Sequence, residues 1–274
     1  MTLKIAVILA VLGVLAPIQV VAQSNAATVI ARFAGTWKED PSRNTFGGGS
    51  PGLRFRRNAT GGLEELRGPD VNPVAQPVVF DGKPVTIGSG REIAWKQIDG
   101  NTFERTISEK ARVLTTRRLR IAPDGITLTE ETELQTTDGA KTVDTIVFRR
   151  SSTEKDGLVG TWKPESFRTT NPAQFRYEPA GTNGMKVTHH DGVTYTLTLD
   201  GKPAPVTGGT VMPDTTYAAK QVDDRTIDVT MSRLGKPFST VQHAVSADGK
   251  TMTVTSRSVS NPSEKPGVSV RVKQ

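Results

Sequence analysis

The tetrapeptide Gly-Thr-Trp-Lys occurs twice, at Gly35–Lys38 and at Gly160–Lys163, 125 positions apart. The match does not stand alone. FDGKPV at Phe80–Val85 pairs with LDGKPA at Leu199–Ala204, AWKQIDGNT at Ala94–Thr102 with AAKQVDDRT at Ala218–Thr226, and APDGITLT at Ala122–Thr129 with SADGKTMT at Ser246–Thr253. The offsets of these three are 119, 124 and 124. Four matches in one order at nearly one spacing describe a duplicated unit, because shared composition does not preserve order. The polar, turn-rich stretch Ser151–Gly157 is the expected linker, giving units over 23–152 and 153–274. Each unit carries a net charge of +3, and Lys4 supplies the rest of the +7 total. An even, modest excess argues against a polyanion-binding arm, so no nucleic-acid partner is expected.

The residues before the first unit read as an export signal. Lys4 is the positive start, Ile5–Ala16 the apolar run, and Val20 and Ala22 flank a cleavage point before Gln23, so residues 1–22 form the expected signal peptide. The apolar run is short for a bilayer span. The mature chain is therefore expected in the periplasm or secreted, with no transmembrane segment. There is no cysteine. Lipoprotein anchoring, disulfides and thiolate chemistry are excluded, and an exported chain of this kind is held together by burial alone.

Period-two alternation dominates both units. Val193–Asp200, Thr226–Met231, Thr251–Ser256 and Val268–Lys273 each alternate apolar and polar residues, the pattern of a strand with one buried face. About eight antiparallel strands per unit are expected, each unit closing as an up-and-down barrel and so removing its sheet edges. Hairpin register follows from side-chain matching. A two-residue type I′ loop at Asp124-Gly125 sets Ile121 opposite Leu128 and Arg118 opposite Glu131. The equivalent Asp248-Gly249 sets Val245 opposite Met252. At His190–Gly192 only a three-residue loop with Gly192 left-handed sets Val187 opposite Tyr195.

A short leading strand bearing Gly-Thr-Trp, followed by an antiparallel meander, resembles the calycin group of lipocalins, fatty-acid-binding proteins and avidins. The nearest likeness is to exported bacterial proteins with one or two lipocalin-like domains of the "GTWK…DGK" type, a likeness that implies a fold and no particular activity. In calycins the Trp closes one barrel end and an Arg of the last strand packs across it. The resemblance implies those roles for Trp37 and Trp162, with Arg149 and Arg271 as the cations. The lipocalin disulfide and a clear second lipocalin motif are absent.

Few residues suggest chemistry. His189 and His190 are adjacent and point to opposite faces of a strand, and only His243 remains as another histidine, so no metal site is expected. The Gly-rich Phe46–Gly52 lacks a following Gly-Lys-Ser/Thr and is no phosphate cradle. The arginines of Arg54–Arg57, Arg117–Arg120 and Phe148–Arg150 have acidic neighbours in Thr129–Glu133, and the second unit lacks their counterparts. Trp95 has Ala219 in its place. On the inward faces lie Arg117 and Glu130 in the first unit, and His189, Tyr195 and His243 in the second. Buried polar groups of this kind either line a ligand cavity or form a bridged core. No nucleophile–base pair, metal set or cofactor fingerprint appears, so neither catalysis nor a cofactor is expected. Two readings compete: an envelope protein binding a small amphipathic or hydrophobic ligand, and a structural or interaction module with filled barrels. The first calls for a cavity of about a few hundred Å3.

Overall fold

The structure, a computed structural model, describes residues 26–47, 52–68, 73–87, 90–135, 141–154, 156–208 and 211–274. The expected export signal over 1–22 and the cut before Gln23 lie outside the described residues.

Helix α1 (Ala26–Phe33) leads into β1 (Gly35–Glu39), which carries the first Gly-Thr-Trp-Lys. Next come β2 (Leu53–Arg57), β3 (Leu63–Arg67), β4 (Val74–Val78), β5 (Val85–Ile87), β6 (Arg91–Gln97), β7 (Thr102–Glu109), β8 (Arg112–Ile121), β9 (Thr127–Gln135), β10 (Lys141–Arg150) and β11 (Gly160–Thr169). The remaining strands are β12 (Gln174–Ala180), β13 (Gly184–His189), β14 (Thr194–Thr198), β15 (Asp200–Pro205), β16 (Thr215–Gln221), β17 (Thr226–Arg233), β18 (Lys236–Val245), β19 (Thr251–Ser258) and β20 (Gly267–Lys273).

They form two ten-stranded antiparallel sheets, each curled into a barrel around its own apolar cluster. The count per barrel is ten, against the eight expected, because short strands such as β5 escape period-two matching. The first sheet runs from β4 through β3, β2, β11, β10, β9, β8, β7 and β6 to β5. The second runs from β14 through β13, β12, β1, β20, β19, β18, β17 and β16 to β15, and its ends meet through paired hydrogen bonds between Thr194 and Thr207 of 2.8 and 2.9 Å. Barrel 1 is thus a continuous stretch from β2 to β11. Barrel 2 is discontinuous, with β1 seated between β12 and β20. The division at 152/153 expected from the repeat does not coincide with the division between the sheets: each Gly-Thr-Trp-Lys strand closes the barrel of the other repeat.

The two strands fill equivalent slots in the same way. Gly35 and Trp37 face Tyr177 and Phe175, as Gly160 and Trp162 face Phe55 and Leu53. Each Trp is fully buried, and its Nε1 donates to the carbonyl four residues upstream, Phe33 at 2.7 Å and Leu158 at 2.9 Å. The preceding glycines sit at φ of +119° and +126°, which a side chain strains.

The expected registers hold at all three turns: Ile121 pairs with Leu128, Arg118 with Glu131, Val245 with Met252, and Val187 with Tyr195. Gly192 is left-handed at φ +88°. The loop at Asp124 is not type I′, since that residue is absent from the positive-φ positions. Its carboxylate instead accepts from the amides of Ile126 and Thr127, both at 2.9 Å, stabilising a wider turn. Paired positive φ values fall at Lys110-Ala111 and Leu234-Gly235, equivalent turns of the two barrels.

Candidate functional site

Pairing registers align the barrels position by position, so each interior residue has a counterpart. Each Trp is fully buried within its barrel's apolar cluster, and at several interior positions the two barrels carry different residues. Arg105, Arg117 and Glu130 of barrel 1 stand where barrel 2 has Val229, Val241 and Val254. Tyr177, His243 and Arg271 of barrel 2 stand where barrel 1 has Phe55, Leu119 and Phe148.

Barrel 1 neutralises its own charges. Nη1 of Arg105 donates to both oxygens of Glu65 at 2.6 and 2.7 Å, and both side chains are buried. Arg117 forms an ion pair with Glu130 at 3.3 Å, without hydrogen-bond alignment, and the Thr132 hydroxyl donates to Glu130 at 3.1 Å. Burial alone would raise the pKa of Glu65, but the guanidiniums of Arg105, Arg117 and Arg67 outweigh it and hold the carboxyl below its usual value. Trp95 fills the space that Ala219 leaves in barrel 2, packing edge-on against Phe55 and Phe80. The expected interior pair Arg117–Glu130 is in place, and its mutual contact occupies the cation that a ligand carboxylate would need.

Barrel 2 has a different balance. Arg271 is 8% exposed, and its guanidinium lies 3.4 Å from the Phe175 ring centroid. Nη1 donates to the Tyr177 hydroxyl at 2.7 Å, and Nε has no hydrogen-bond partner. Among the described residues Arg271 makes no ion pair. Tyr177 Oη lies 3.4 Å from His243 Nδ1. His189 stands edge-on to Phe175, with Nε2 at 3.2 Å from the Tyr195 hydroxyl, and Tyr217 packs against Tyr195. His189, Tyr195 and His243, singled out from the sequence, thus share one interior. Burial pushes the His189 pKa down to about 4 and that of His243 well below its ordinary value, and it raises the phenols of Tyr177 and Tyr195. At neutral pH the histidines and tyrosines of this cluster are therefore neutral.

Two expected plug cations require correction. Arg149 is exposed and paired with Glu165 at 2.6 Å; the guanidinium over Trp162, at 4.0 Å, belongs to Arg150. Arg150 donates to the carbonyls of Gly125, Glu154, Gly157 and Val159. Over Trp37 the cation is Lys273, at 5.2 Å, and not Arg271. Strand residues alternate faces, so a one-residue misalignment turns a side chain from outside to inside. The offset between repeats drops from 124 at Leu128/Met252 to 123 at Phe148/Arg271, which hides the interior position of Arg271. Phe175 and Tyr177 went unnoticed in the sequence: their alternation in Gln174–Ala180 is the signal that marks an inward face, yet nothing local marks them as neighbours of Arg271.

His190 lies in its turn, as expected, and its Nδ1 accepts from the Gln174 amide at 3.1 Å. No cluster of three or more potential metal ligands occurs among the described residues. The surface arginines pair with carboxylates: Arg56 with Glu64, Arg57 with the distant Asp156, and Arg118 with Glu104 on β7 and not with the facing Glu131. No helix among the described residues is long and apolar enough to cross a membrane.

The shifted groups give the barrels different acid sensitivity. The histidines of barrel 2 bind protons less readily when folded than when unfolded. Their contribution to stability is complete above the free-histidine pKa of 6.5 and falls as pH drops towards the folded value, about 4 for His189. The lowered pKa of Glu65 sustains barrel 1 until below its free value of 4.5. Hydrogen exchange followed by mass spectrometry on lowering the pH from 6.5 is expected to show peptides of β12–β20 losing protection before those of β2–β11; the reverse order would refute it.

No family model matches this chain. No curated protein matches it either.

Proposed function

We propose that this is an exported, lipocalin-like binding protein of the cell envelope, and that barrel 2 takes a small amphipathic ligand with an anionic head. The reading rests on Arg271, a buried guanidinium with no carboxylate partner among the described residues. An uncompensated buried charge costs several kcal/mol, and an anion brought by a ligand would offset that cost. Tyr177 is placed to share the head group, and Phe175, Tyr195 and Tyr217 supply an apolar, hydrogen-bonding surround. The stretch from Lys4 to Ala22 supports export. For barrel 1, the Glu65–Arg105 pair favours the second reading, a filled structural barrel.

The test is titration with an anilinonaphthalene sulfonate dye, displaced by fatty acids and by the matching fatty alcohols. Fatty acids are expected to compete and alcohols to compete poorly. Arg271→Met should weaken acid binding about tenfold or more while leaving thermal stability unchanged or raised, since it removes an unpaired charge. Arg117→Leu should leave binding unchanged. Unaltered binding in Arg271→Met, together with a large loss of stability, would make Arg271 a structural residue.

A further inference from the structure

Arg67, Arg91 and Arg233 converge where the two barrels meet. They line one pocket of about 170 Å3, whose walls include Ile87 and Ile107 of barrel 1 and Met212 of barrel 2. It opens where β4 and β5, the two ends of the first sheet, flank the interior beyond the Glu65–Arg105 pair. The arginines are not a requirement of the repeated scaffold. The barrel 2 counterparts of Arg67 and Arg91 are His189 and Thr215, while Arg233 stands where barrel 1 has Glu109.

Around Arg67 and Arg91 positive charge is in excess among the described residues. Arg67 makes no ion pair among the described residues. The nearby Glu65 has both oxygens engaged by Arg105 Nη1, and Arg91 reaches Glu109 at 3.3 Å, a half-exposed carboxylate. Burial and the neighbouring Arg105 and Arg91 lower the Arg67 pKa against the opposing pull of Glu65, which reports positive charges crowding one place.

We propose that this junction is a second binding site, separate from the interior of barrel 2, for a small organic oxyanion with a short apolar body. Guanidiniums bind carboxylate and phosphate oxygens through parallel charged hydrogen bonds, and the aliphatic walls suit a few methylene groups. Pockets for drug-sized ligands span about 300–1,000 Å3, so the occupant here is smaller. Because Arg233 and Met212 come from barrel 2 and Arg67 and Arg91 from barrel 1, the ligand would also bridge the barrels.

The experiment is calorimetric titration of the full-length chain with hexanoate, hexyl phosphate and inorganic phosphate, with hexylammonium as the charge control. At least one anion is expected to bind with Kd below about 1 mM, and the cation not to bind. Preference for hexanoate identifies a carboxylate ligand, preference for hexyl phosphate an organic phosphate. Arg67→Met and Arg233→Met should each weaken binding at the junction about tenfold, and Met212→Glu should abolish it by repulsion, whereas Arg56→Met, an exposed residue that does not line the pocket, should leave it intact. Circular dichroism confirms that each variant is folded. No saturable binding by any anion, binding by inorganic phosphate alone at full strength, or affinity unchanged in all three junction variants would overturn the proposal. Loss on Arg271→Met but not at the junction would return the anion to barrel 2.

Discussion

A chain lacking residues 1–40 is expected to lose barrel 2 and keep barrel 1. The deletion removes β1 and α1, and with them Trp37, Phe33, Val29 and Ile30, all buried in or against barrel 2. Full burial of a large apolar side chain contributes about 1.5–3 kcal/mol, so four of them approach the whole stability of an ordinary domain. The slot between β12 and β20 would also expose two unpaired strand edges in the middle of the sheet. Barrel 1 contains all its ten strands between Leu53 and Thr169, so residues 52–170 should fold alone with a cooperative transition. Backbone NMR of the truncated chain is expected to show dispersed signals from β2–β11 and collapsed ones from β12–β20. A peptide of residues 26–40 added in trans should restore the missing signals. Retention of barrel 2 without β1 would refute the strand exchange.

Glu65→Leu is the point substitution with the largest expected effect on barrel 1. It leaves Arg105 buried without its carboxylate, and it removes an acid that Arg67, Arg105 and Arg117 all face. Breaking a buried pair from one side costs about 3–5 kcal/mol, whereas replacing both partners by apolar groups is close to neutral. Denaturant unfolding should therefore show a fall of that size for Glu65→Leu and substantial recovery in Glu65→Leu/Arg105→Met. If the single substitution costs less than about 1 kcal/mol, water reaches the pair and it behaves as a surface bridge.

Much of this protein was readable from its residues one strand at a time. Alternation in Thr226–Met231 and Thr251–Ser256 gave all-β structure, because a half-buried strand repeats every second residue. Matching of apolar neighbours across Asp124, Asp248 and Asp191 gave registers that the pairing confirms, because a one-residue slip would bury polar groups. The inward placement of Arg117, Glu130, His189, Tyr195 and His243 followed from the same periodicity.

Which barrel each Gly-Thr-Trp-Lys strand closes was decided only in three dimensions. The two copies present the same Gly, Trp and backbone pairing to either slot, so no local preference separates them. Their surroundings do. β1 stops at Glu39, where Asp40 caps a turn of 3-10 helix begun by Pro41, and it suits the seven-residue β20. β11 continues to Thr169 with a bulge near Pro164, and so can pair along the ten-residue β10. The company of Arg271 was likewise a tertiary outcome. Tyr177, His243 and Phe175 reach it from two other strands separated by up to about a hundred residues of chain, and whether a buried guanidinium meets an acid or a phenol depends on which strands the barrel brings together.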